Sequence, residues 1–407
     1  MDIGPRPVAG WRDATAQCPK TMAHGPCAGV GTDGSCEVPG FGSCTFLGVD
    51  AADWPYTRAL AAQAATRRAG DRVAPATGRR PTAAAFLAAA GTRPVVVADL
   101  PAAPLSAASL RECAAALAGA ADACLLGDHG GARVQFPPSY RACLLAEAGV
   151  PAWVGINCRD RNRVAIEGEI AACADAGAVA IHCVTGDHPQ LGHRADAAAV
   201  FDLDSVGVVA LAAAAAARGG GALCSVAHAP AAPPAGRRLA RLLTKIDAGA
   251  DVVFVDHCGG PEPVADAVGE LRATGFAGLV LACVPVVTSA ASAAVIASFA
   301  GDRLPAGYLE RISGTTTQPG AAPVTGAEAA EIEAAGIAEG TELAERMLEI
   351  PGVDGVNLSG GAPPGQEAAL AAAMAEISSR ILGAPAGSAR RPKQRSVAQT
   401  GVGAPRA

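Results

Sequence analysis

Two short polar clusters stand where apolar runs of this sequence end. The tetrapeptide RDRN at 159–162 follows the run 152–156, and the pentapeptide TGDHP at 185–189 follows the run 178–184. The ends of parallel strands converge on one face of a β/α barrel, where active sites lie. Carboxylates and imidazoles that meet there shift each other's pKa values, which suits acid–base catalysis. The two clusters therefore predict a site for acid–base chemistry.

Polar residues follow the other apolar runs as well. They are Asp99, Asp128, His228, Asp256 with His257, Thr288, and Asn357 with Ser359. The alternative for any single member is a structural role, because a strand-end aspartate often caps a helix or pairs with a loop cation. For the whole set we favour function, because residues at this face of a barrel are more often catalytic.

The elements that position these residues alternate along the chain. Strand-like runs span 94–100, 123–128, 152–157, 178–185, 221–226, 251–256, 278–285 and 352–358. Helical segments rich in Ala and Leu span 106–118, 167–175, 204–218, 238–248 and 328–348. Eight strands alternating with helices predict an α/β fold, a (β/α)8 TIM barrel, with an extra helix in the long gap before the last strand. A doubly wound open sheet is the alternative, but no G-x-G-x-x-G follows any of these runs.

Four cysteines near the amino terminus have the spacing C-x8-C-x8-C-x7-C and lie among glycines. They are Cys18, Cys27, Cys36 and Cys44. Four thiolates on a glycine-rich loop can hold a tetrahedral zinc ion or an iron–sulfur cluster. Four unliganded thiols remain the alternative, because this spacing matches no common zinc finger. The pattern predicts a small cysteine-rich metal-binding domain before the barrel.

Composition limits the other function classes. The chain has 407 residues, a formal net charge of −6 and 17% charged residues, so we expect no basic surface for nucleic acid. The first 20 residues lack an apolar stretch, and no run is long enough to span a membrane, so we expect a cytoplasmic protein. The predicted organisation is a cysteine-rich domain at 1–48, a helical linker at 49–90, a barrel at 91–384 and a disordered basic tail at 385–407.

Several strings resemble the methylenetetrahydrofolate reductase family. They are CRDRNRVAIEGEI, TGDHPQLGH and VFDLDSV, followed in the same order by KIDAGADVVFVDH, VPVVTSA and GVDGVNL. The resemblance implies a flavin, FAD or FMN, over the barrel mouth. This flavin takes hydride from NADH or NADPH and passes it to 5,10-methylenetetrahydrofolate, a step of one-carbon metabolism and methionine biosynthesis. The resemblance is also compatible with a homo-oligomer or with a partner subunit.

The resemblance assigns roles to three aspartates. Asp187 matches the aspartate that lies near the pterin and tunes the flavin. Asp99 stands at the position of the general acid, with one methylene fewer than the family's glutamate. Asp256 replaces a glutamine that reads the pterin, and a carboxylate can accept two hydrogen bonds from the amino-pyrimidine edge. The cofactor-binding candidates are Asp187, Thr185, Gly186, Arg159, Asp160 and Asn157.

Two glycines depart from the family pattern. Gly127 replaces a flavin-contacting threonine, and Gly155 replaces a histidine. These departures leave two alternatives open: a folate-binding homologue without flavin that acts through a partner, and a reductase that works without flavin. The amino-terminal string CPKTMAHGPCAGVGTDGSCEVPGFGSC resembles a cysteine-rich domain that is fused to, or partnered with, some bacterial members. The resemblance implies metal or iron–sulfur binding by the four cysteines.

Overall fold

The computed structural model describes residues 10–49, 79–129, 131–218, 221–297, 303–313 and 326–383. Most of the predicted linker, residues 50–78, and the predicted tail at 385–407 lie outside the described residues. None of the described helices combines the length and the apolar composition needed to cross a membrane.

Eight parallel strands form a closed barrel in chain order, which confirms the predicted fold class. The strands are β1 (Val95–Asp99), β2 (Ala123–Leu126), β3 (Ala152–Ile156), β4 (Ala180–Cys183), β5 (Leu223–His228), β6 (Val252–Val255), β7 (Leu279–Pro285) and β8 (Gly355–Ser359). The alternative of an open sheet is wrong, because β8 pairs with β1 with Val97 opposite Asn357.

Two of the described helices precede β1, and the others follow the strands and cover the outside of the barrel. They are α1 (Trp11–Gln17), α2 (Pro81–Ala90), α3 (Ala107–Leu117), α4 (Pro138–Glu147), α5 (Arg163–Asp175), α6 (Ser205–Ala217), α7 (Arg238–Asp247), α8 (Pro261–Ala273), α9 (Ala290–Ala297), α10 (Tyr308–Ser313), α11 (Gly326–Glu349) and α12 (Glu367–Gly383). The gap before β8 holds α9, α10 and α11, so the prediction of an additional helix there is confirmed.

Strand periodicity determines which side chains enter the barrel. Successive side chains of a strand point to opposite faces, so every second residue points inward. In β1, Val95 and Val97 belong to the inner core, and Val96 and Ala98 pack against the outer helices. Asp99 therefore continues the inward row at the carboxyl end of β1. The same alternation places Asp256 above the inward Phe254 of β6.

Helix α2 closes the opposite end of the barrel. Its Phe86 packs edge-on against Trp153 of β3 with ring centroids 5.1 Å apart, and Ala83 and Phe86 both belong to the inner core. The hydroxyl of Thr82 donates to Gly177 O at 2.9 Å. This part of the predicted linker thus packs as a plug beneath the barrel and leaves the other end for the site.

Residues 10–49, here called the N-terminal module, build a small core of their own. Ala14, Met22, Phe46 and Val49 are buried together, and Trp11 packs edge-on against Phe46 at 5.3 Å. The rest of the module is held by turns and two isolated bridges. Three of its side chains, those of Lys20, Thr21 and His24, reach across to the loops that follow β4. The module therefore lies against the mouth of the barrel.

Candidate active site

A cavity of about 370 Å³ opens at the carboxyl ends of the strands. Its volume lies in the range of small-molecule sites. The barrel contributes Asp99, Asp128, His182, His228 and Asp256 to its lining, and α7 contributes Lys245. The cavity therefore gathers these side chains at one end of the barrel. The strand-end pattern predicts Asp99, Asp128, His228 and Asp256 there, but not His182 or Lys245.

Asp99 lies in this cavity at the end of β1. Its Oδ1 accepts from Asn357 Nδ2 at 3.2 Å and its Oδ2 accepts from Gly360 N at 3.2 Å. Burial raises the pKa of Asp99 to about 7, although both hydrogen bonds oppose this shift. The neutral form is therefore well populated near pH 7, so Asp99 can act as a proton donor.

Asp256 and Lys245 also line the cavity. Burial raises the pKa of Asp256 to about 7, Lys245 opposes this rise and the charge of Asp99 adds to it. Burial also lowers the pKa of Lys245 to about 7, and Arg241 adds to that decrease. Lys245 Nζ donates to Ala227 O at 2.7 Å, and an ammonium group has two further hydrogens to offer. Lys245 is not among the residues predicted from the sequence, because it lies on a helix and not at a strand end.

The histidines of the mouth are neutral at physiological pH. Burial lowers the pKa of His182 and of His228 to about 3, and that of His257 to about 4. His182 Nδ1 lies 2.9 Å from Ser225 Oγ, which also accepts from Trp153 Nε1 at 2.8 Å. His182 is therefore held by a buried network and presents an uncharged ring to the cavity.

Asp187 lines the rim of the cavity, and its side chain is 48% exposed. Arg133 Nη1 lies 3.6 Å from its Oδ2. The turn before it depends on Gly186, whose φ of +85° is strained for other residues and whose added Cβ would lie 2.8 Å from Asn157 Cβ. Thr185 Oγ1 accepts from Ser205 N at 3.1 Å and so ties this turn to the start of α6.

The charged residues of the RDRN cluster lie beside the cavity and do not line it. The buried Arg159 pairs with Asp128, and its Nη2 lies 3.3 Å from Asp160 Oδ2. Asn162 accepts from Ala165 N at 3.1 Å and caps α5. Asn157, Thr185 and Gly186 line the cavity, whereas Arg159 and Asp160 are not among its lining residues. The contacts of these last two residues hold the loop after β3.

The N-terminal module forms part of the cavity wall, which the sequence analysis did not foresee. The module residues in the wall are Lys20, Pro26, Cys27, Ala28, Gly29 and Glu37. Lys20 lies in the CPK string of the cysteine motif and Glu37 in the CEV string. Two opposite charges, each close to a cysteine, are the sequence signal that could have identified these residues as part of the site.

The four cysteines of the module converge on one small apolar cavity of about 20 Å³. All four are free thiols of intermediate exposure. Burial raises the pKa of Cys18 to about 11 and that of Cys44 to about 12. Within the described residues, no group of three or more His, Cys, Asp or Glu side chains has the geometry to hold a metal ion. The cysteines are thus neighbours, and their role as ligands stays a prediction.

A flavin ring in this cavity would lie beside two glycines, and its phosphate-bearing tail would meet arginines that already have partners. Gly127 and Gly155 leave a wall of bare backbone, and a Cβ at Gly127 would meet no atom within 4 Å. Lys245 has hydrogens to offer an anion. Arg238, in contrast, already donates to Cys27 O at 3.0 Å, and Arg241 donates to His24 O at 2.7 Å. A tail phosphate would have to compete with the module for these two arginines.

Comparison with known proteins adds a family to this geometry. Residues 127–341, just over half of the chain, match the family model described as methylenetetrahydrofolate reductase. Asp187, Lys245 and Asp256 lie inside the matched residues, and Asp99 and the four cysteines precede them. No protein of curated description matches the chain.

Similar solved structures include a 2,3-dimethylmalate lyase of the PEP mutase/isocitrate lyase superfamily, at 15% identity over 68% of this chain and 80% of that chain, with a TM-score of 0.39. Another is an oxaloacetate acetylhydrolase, at 13% identity over 68% of this chain and 80% of that chain, with a TM-score of 0.40. On the strength of the family match, this chain belongs to the methylenetetrahydrofolate reductase family.

Proposed function

We propose that this protein reduces 5,10-methylenetetrahydrofolate to 5-methyltetrahydrofolate. Family membership supports a folate one-carbon reductase. The observation that carries the proposal is Asp99, a carboxyl group at the end of β1 that lines the cavity and whose pKa is raised by burial to about 7. Such a group can deliver a proton at physiological pH.

The chemistry requires one proton and one hydride. The methylene carbon of the substrate bridges two nitrogens. Protonation of one nitrogen breaks its bond to this carbon, the electron pair stays on that nitrogen, and the other nitrogen becomes an iminium. Hydride then adds to the iminium carbon and produces the methyl group. Asp99 supplies the proton and is left as a carboxylate, which Asn357 Nδ2 and Gly360 N stabilise by hydrogen bonds.

Asp256 is proposed to recognise the pterin ring by hydrogen bonds. Its carboxylate can accept two hydrogen bonds from the amino-pyrimidine edge. Burial raises the pKa of Asp256 to about 7, and N–H donors of a bound pterin would favour its charged form, as Lys245 does. Asp187 at the rim is proposed to contact the far side of the folate or its hydride donor.

The hydride source is proposed to be NADH or NADPH, with FAD or FMN as the carrier. A flavin bound against the glycine wall would accept hydride from the nicotinamide and donate it to the folate. Gly127 and Gly155 would leave room for the flat ring because they carry no side chain, and Lys245 could donate a hydrogen bond to an anionic group of the cofactor.

A second candidate is a reductase without flavin, in which hydride passes directly from nicotinamide to folate. The observation that favours it is Gly127, which leaves open space where the family resemblance implies a threonine that contacts the flavin.

One experiment separates these functions. The protein is purified without oxygen, its visible spectrum is recorded, and NADH or NADPH and methylenetetrahydrofolate are then added. Bound flavin that is bleached by nicotinamide and reoxidised by folate supports the first route. Methyltetrahydrofolate formed by flavin-free protein supports the second. Folate binding without any product would overturn the proposed reductase activity and favour a regulatory homologue.

We also propose that Cys18, Cys27, Cys36 and Cys44 bind zinc or an iron–sulfur cluster. Their convergence on one cavity supports this assignment. Thiolates are the form that binds metal, so binding must release the protons that burial favours on Cys18, Cys36 and Cys44 by raising their pKa values. The site shares Lys20, Pro26, Cys27 and Gly29 with the larger cavity, so the two cavities have a common wall.

A further inference from the structure

We propose that the Lys20–Glu37 ion pair of the N-terminal module positions Asp187, which makes the module a working part of the active site. This inference rests on the proposed function, because it concerns the aspartate at the rim of the same cavity. It assigns a role to two charged residues of the cysteine motif that metal binding does not explain.

The two side chains hold the backbone on either side of Asp187. Lys20 Nζ donates to the carbonyl oxygen of Gly186 at 2.8 Å. Glu37 Oε1 accepts from the backbone N–H of His188 at 2.8 Å. Lys20 and Glu37 also pair with each other. The residue before Asp187 and the residue after it are thus bound to one buried charge pair from a segment about 150 residues away in sequence.

Burial makes this pair unusual. The Lys20 side chain is 5% exposed and the Glu37 side chain is 4% exposed. A buried ion pair adds little to stability compared with an apolar pair of similar volume, so retaining one calls for another role.

Gly29 provides the space for this arrangement. A Cβ on Gly29 would overlap the carboxylate of Glu37. Glu37 therefore packs directly on bare backbone of the cysteine motif. The motif glycine, the motif glutamate and the turn at 185–188 form one continuous contact.

Asp187 has few other restraints. Its side chain is half exposed, its contact with Arg133 is 3.6 Å long, and Gly186 before it has a conformation that few other residues adopt. A glycine turn with a half-exposed aspartate needs its backbone fixed from outside if the carboxylate is to stay in one place. The Lys20–Glu37 pair supplies two such hydrogen bonds.

A separate set of contacts docks the module. Thr21 Oγ1 donates to Phe201 O at 2.6 Å, and both residues have positive φ, at 45° and 38°. His24 N donates to Asp204 Oδ2 at 3.0 Å. Left-handed backbone at non-glycine residues is strained and clusters at functional sites. Because these contacts do not involve the 185–188 turn, the module can remain docked when the Lys20–Glu37 pair is replaced.

The test uses the full chain with the double substitution K20M/E37L. Replacing both charges by apolar groups of similar length avoids leaving one unpaired charge in the interior. The matched control is Asp33→Asn, which changes an exposed carboxylate of the same module whose contact is local, to Ser35 N. Each change is also made in an Asp187→Asn background, and near-ultraviolet circular dichroism checks folding.

We expect K20M/E37L to lower kcat about 10- to 100-fold, the size of effect that follows a small misplacement of a working group. In the Asp187→Asn background the same pair should change kcat less than about 2-fold, because its target is already gone. Equal losses in the two backgrounds would overturn the proposal, since they would indicate a general structural role.

A second measurement does not depend on turnover. Hydrogen exchange of the peptide that contains His188 should accelerate about 10-fold or more in K20M/E37L and stay unchanged in Asp33→Asn. If the parent protein forms no methyltetrahydrofolate, the proposed function fails, and faster exchange of this turn still supports the positioning contact. Unchanged exchange in a folded K20M/E37L variant would overturn the positioning role whatever the activity.

Discussion

The side-chain amide of Asn357 donates to Oδ1 of Asp99 at 3.2 Å, across the seam where β8 pairs with β1. The amide oxygen of Asn357 is buried and has no hydrogen-bond partner among the described residues. A half-turn of this amide would bring its oxygen towards Asp99, where it could accept the proton of the neutral acid. Asn357 can therefore bond to both protonation states of Asp99, but its bond to the charged carboxylate is the stronger, so on balance it lowers the pKa of Asp99.

Replacing Asp99 by Asn should abolish most turnover and leave folate binding nearly intact. Loss of a general acid lowers kcat by about 10²- to 10⁴-fold. The parent's kcat should also fall as the pH rises through about 7, because the pKa of Asp99 is about 7 and only the neutral acid donates. Rapid-quench assays and equilibrium titration with folate measure both quantities. Glu147→Gln, an exposed carboxylate paired with Arg111, is the control, and a full rate in Asp99→Asn would contradict the assignment.

Replacing Asn357 by Leu should move the alkaline limb of the pH profile upward. The Asn357 hydrogen bond lowers the pKa of Asp99, so its removal leaves burial less opposed and the pKa rises. A hydrogen bond to a charged group contributes about 1.5–3 kcal/mol, which corresponds to roughly one to two pH units. The measurement is kcat between pH 6 and pH 10. A limb that stays in place, in a folded variant, would show that another group titrates there.

Asp99 should also make the fold less stable as the pH rises. Its pKa in the folded state is about 7 and that of an unfolded aspartate is about 3.9. Well below pH 3.9 both states are protonated and no penalty exists. As the pH rises to 7, the folded state keeps a proton that the unfolded state has lost, so stability falls by on the order of a few kcal/mol. The Asp99→Asn variant should therefore gain thermal stability over the parent at pH 8 and gain little at pH 4.

The four clustered cysteines should bind metal as a set. Changing Cys18 and Cys27 to Ser should remove bound zinc or iron from protein purified without oxygen, because two of four ligands are lost. Elemental analysis and the visible spectrum check this. Cys143→Ser is the control, since Cys143 is an exposed thiol of α4 outside the module. Full metal content in the Cys18/Cys27 variant would remove the ligand assignment.

Gly127→Thr tests the flavin. A Cβ at Gly127 meets no atom within 4 Å, so we expect this variant to fold like the parent. The family resemblance implies that a threonine at this position contacts the flavin, so affinity for FMN or FAD should rise, as read by quenching of flavin fluorescence. Gly155→Ala is the contrast, because its Cβ would lie 3.0 Å from Leu126 O and should lower the melting temperature. No change in flavin affinity in Gly127→Thr would favour the flavin-free route.

Much of the fold follows from local patterns. Short apolar runs alternating with Ala-rich helices predict parallel strands, and eight of them in regular succession predict a closed barrel. Asp99 and Asp256 stand at the ends of two such runs. Because strand side chains alternate between faces, these two aspartates face the barrel mouth in the structure as the sequence predicts.

Strand periodicity did not predict the positions of Arg159 and Lys245. Arg159 is next to the predicted site in sequence, yet it is buried against Asp128 and lies outside the cavity lining. Lys245, in contrast, was not predicted as a site residue because it lies on a helix. Its long side chain nevertheless reaches the cavity, because α7 packs beside the end of β5. Side-chain length and helix orientation decide such positions, and strand periodicity carries no information about them.

The sequence by itself therefore determined the barrel, the face on which the aspartates gather and the set of four cysteines, because each depends on short-range periodicity or spacing. Only the tertiary structure decided that the cysteine module lies over the mouth of that barrel. Lys20 and Gly186 are separated by 166 positions in sequence, and they meet because a buried lysine needs a charge partner and a carbonyl acceptor. No local pattern specifies which distant carbonyl fills that need, since the choice depends on how the surfaces of the module and the barrel fit together.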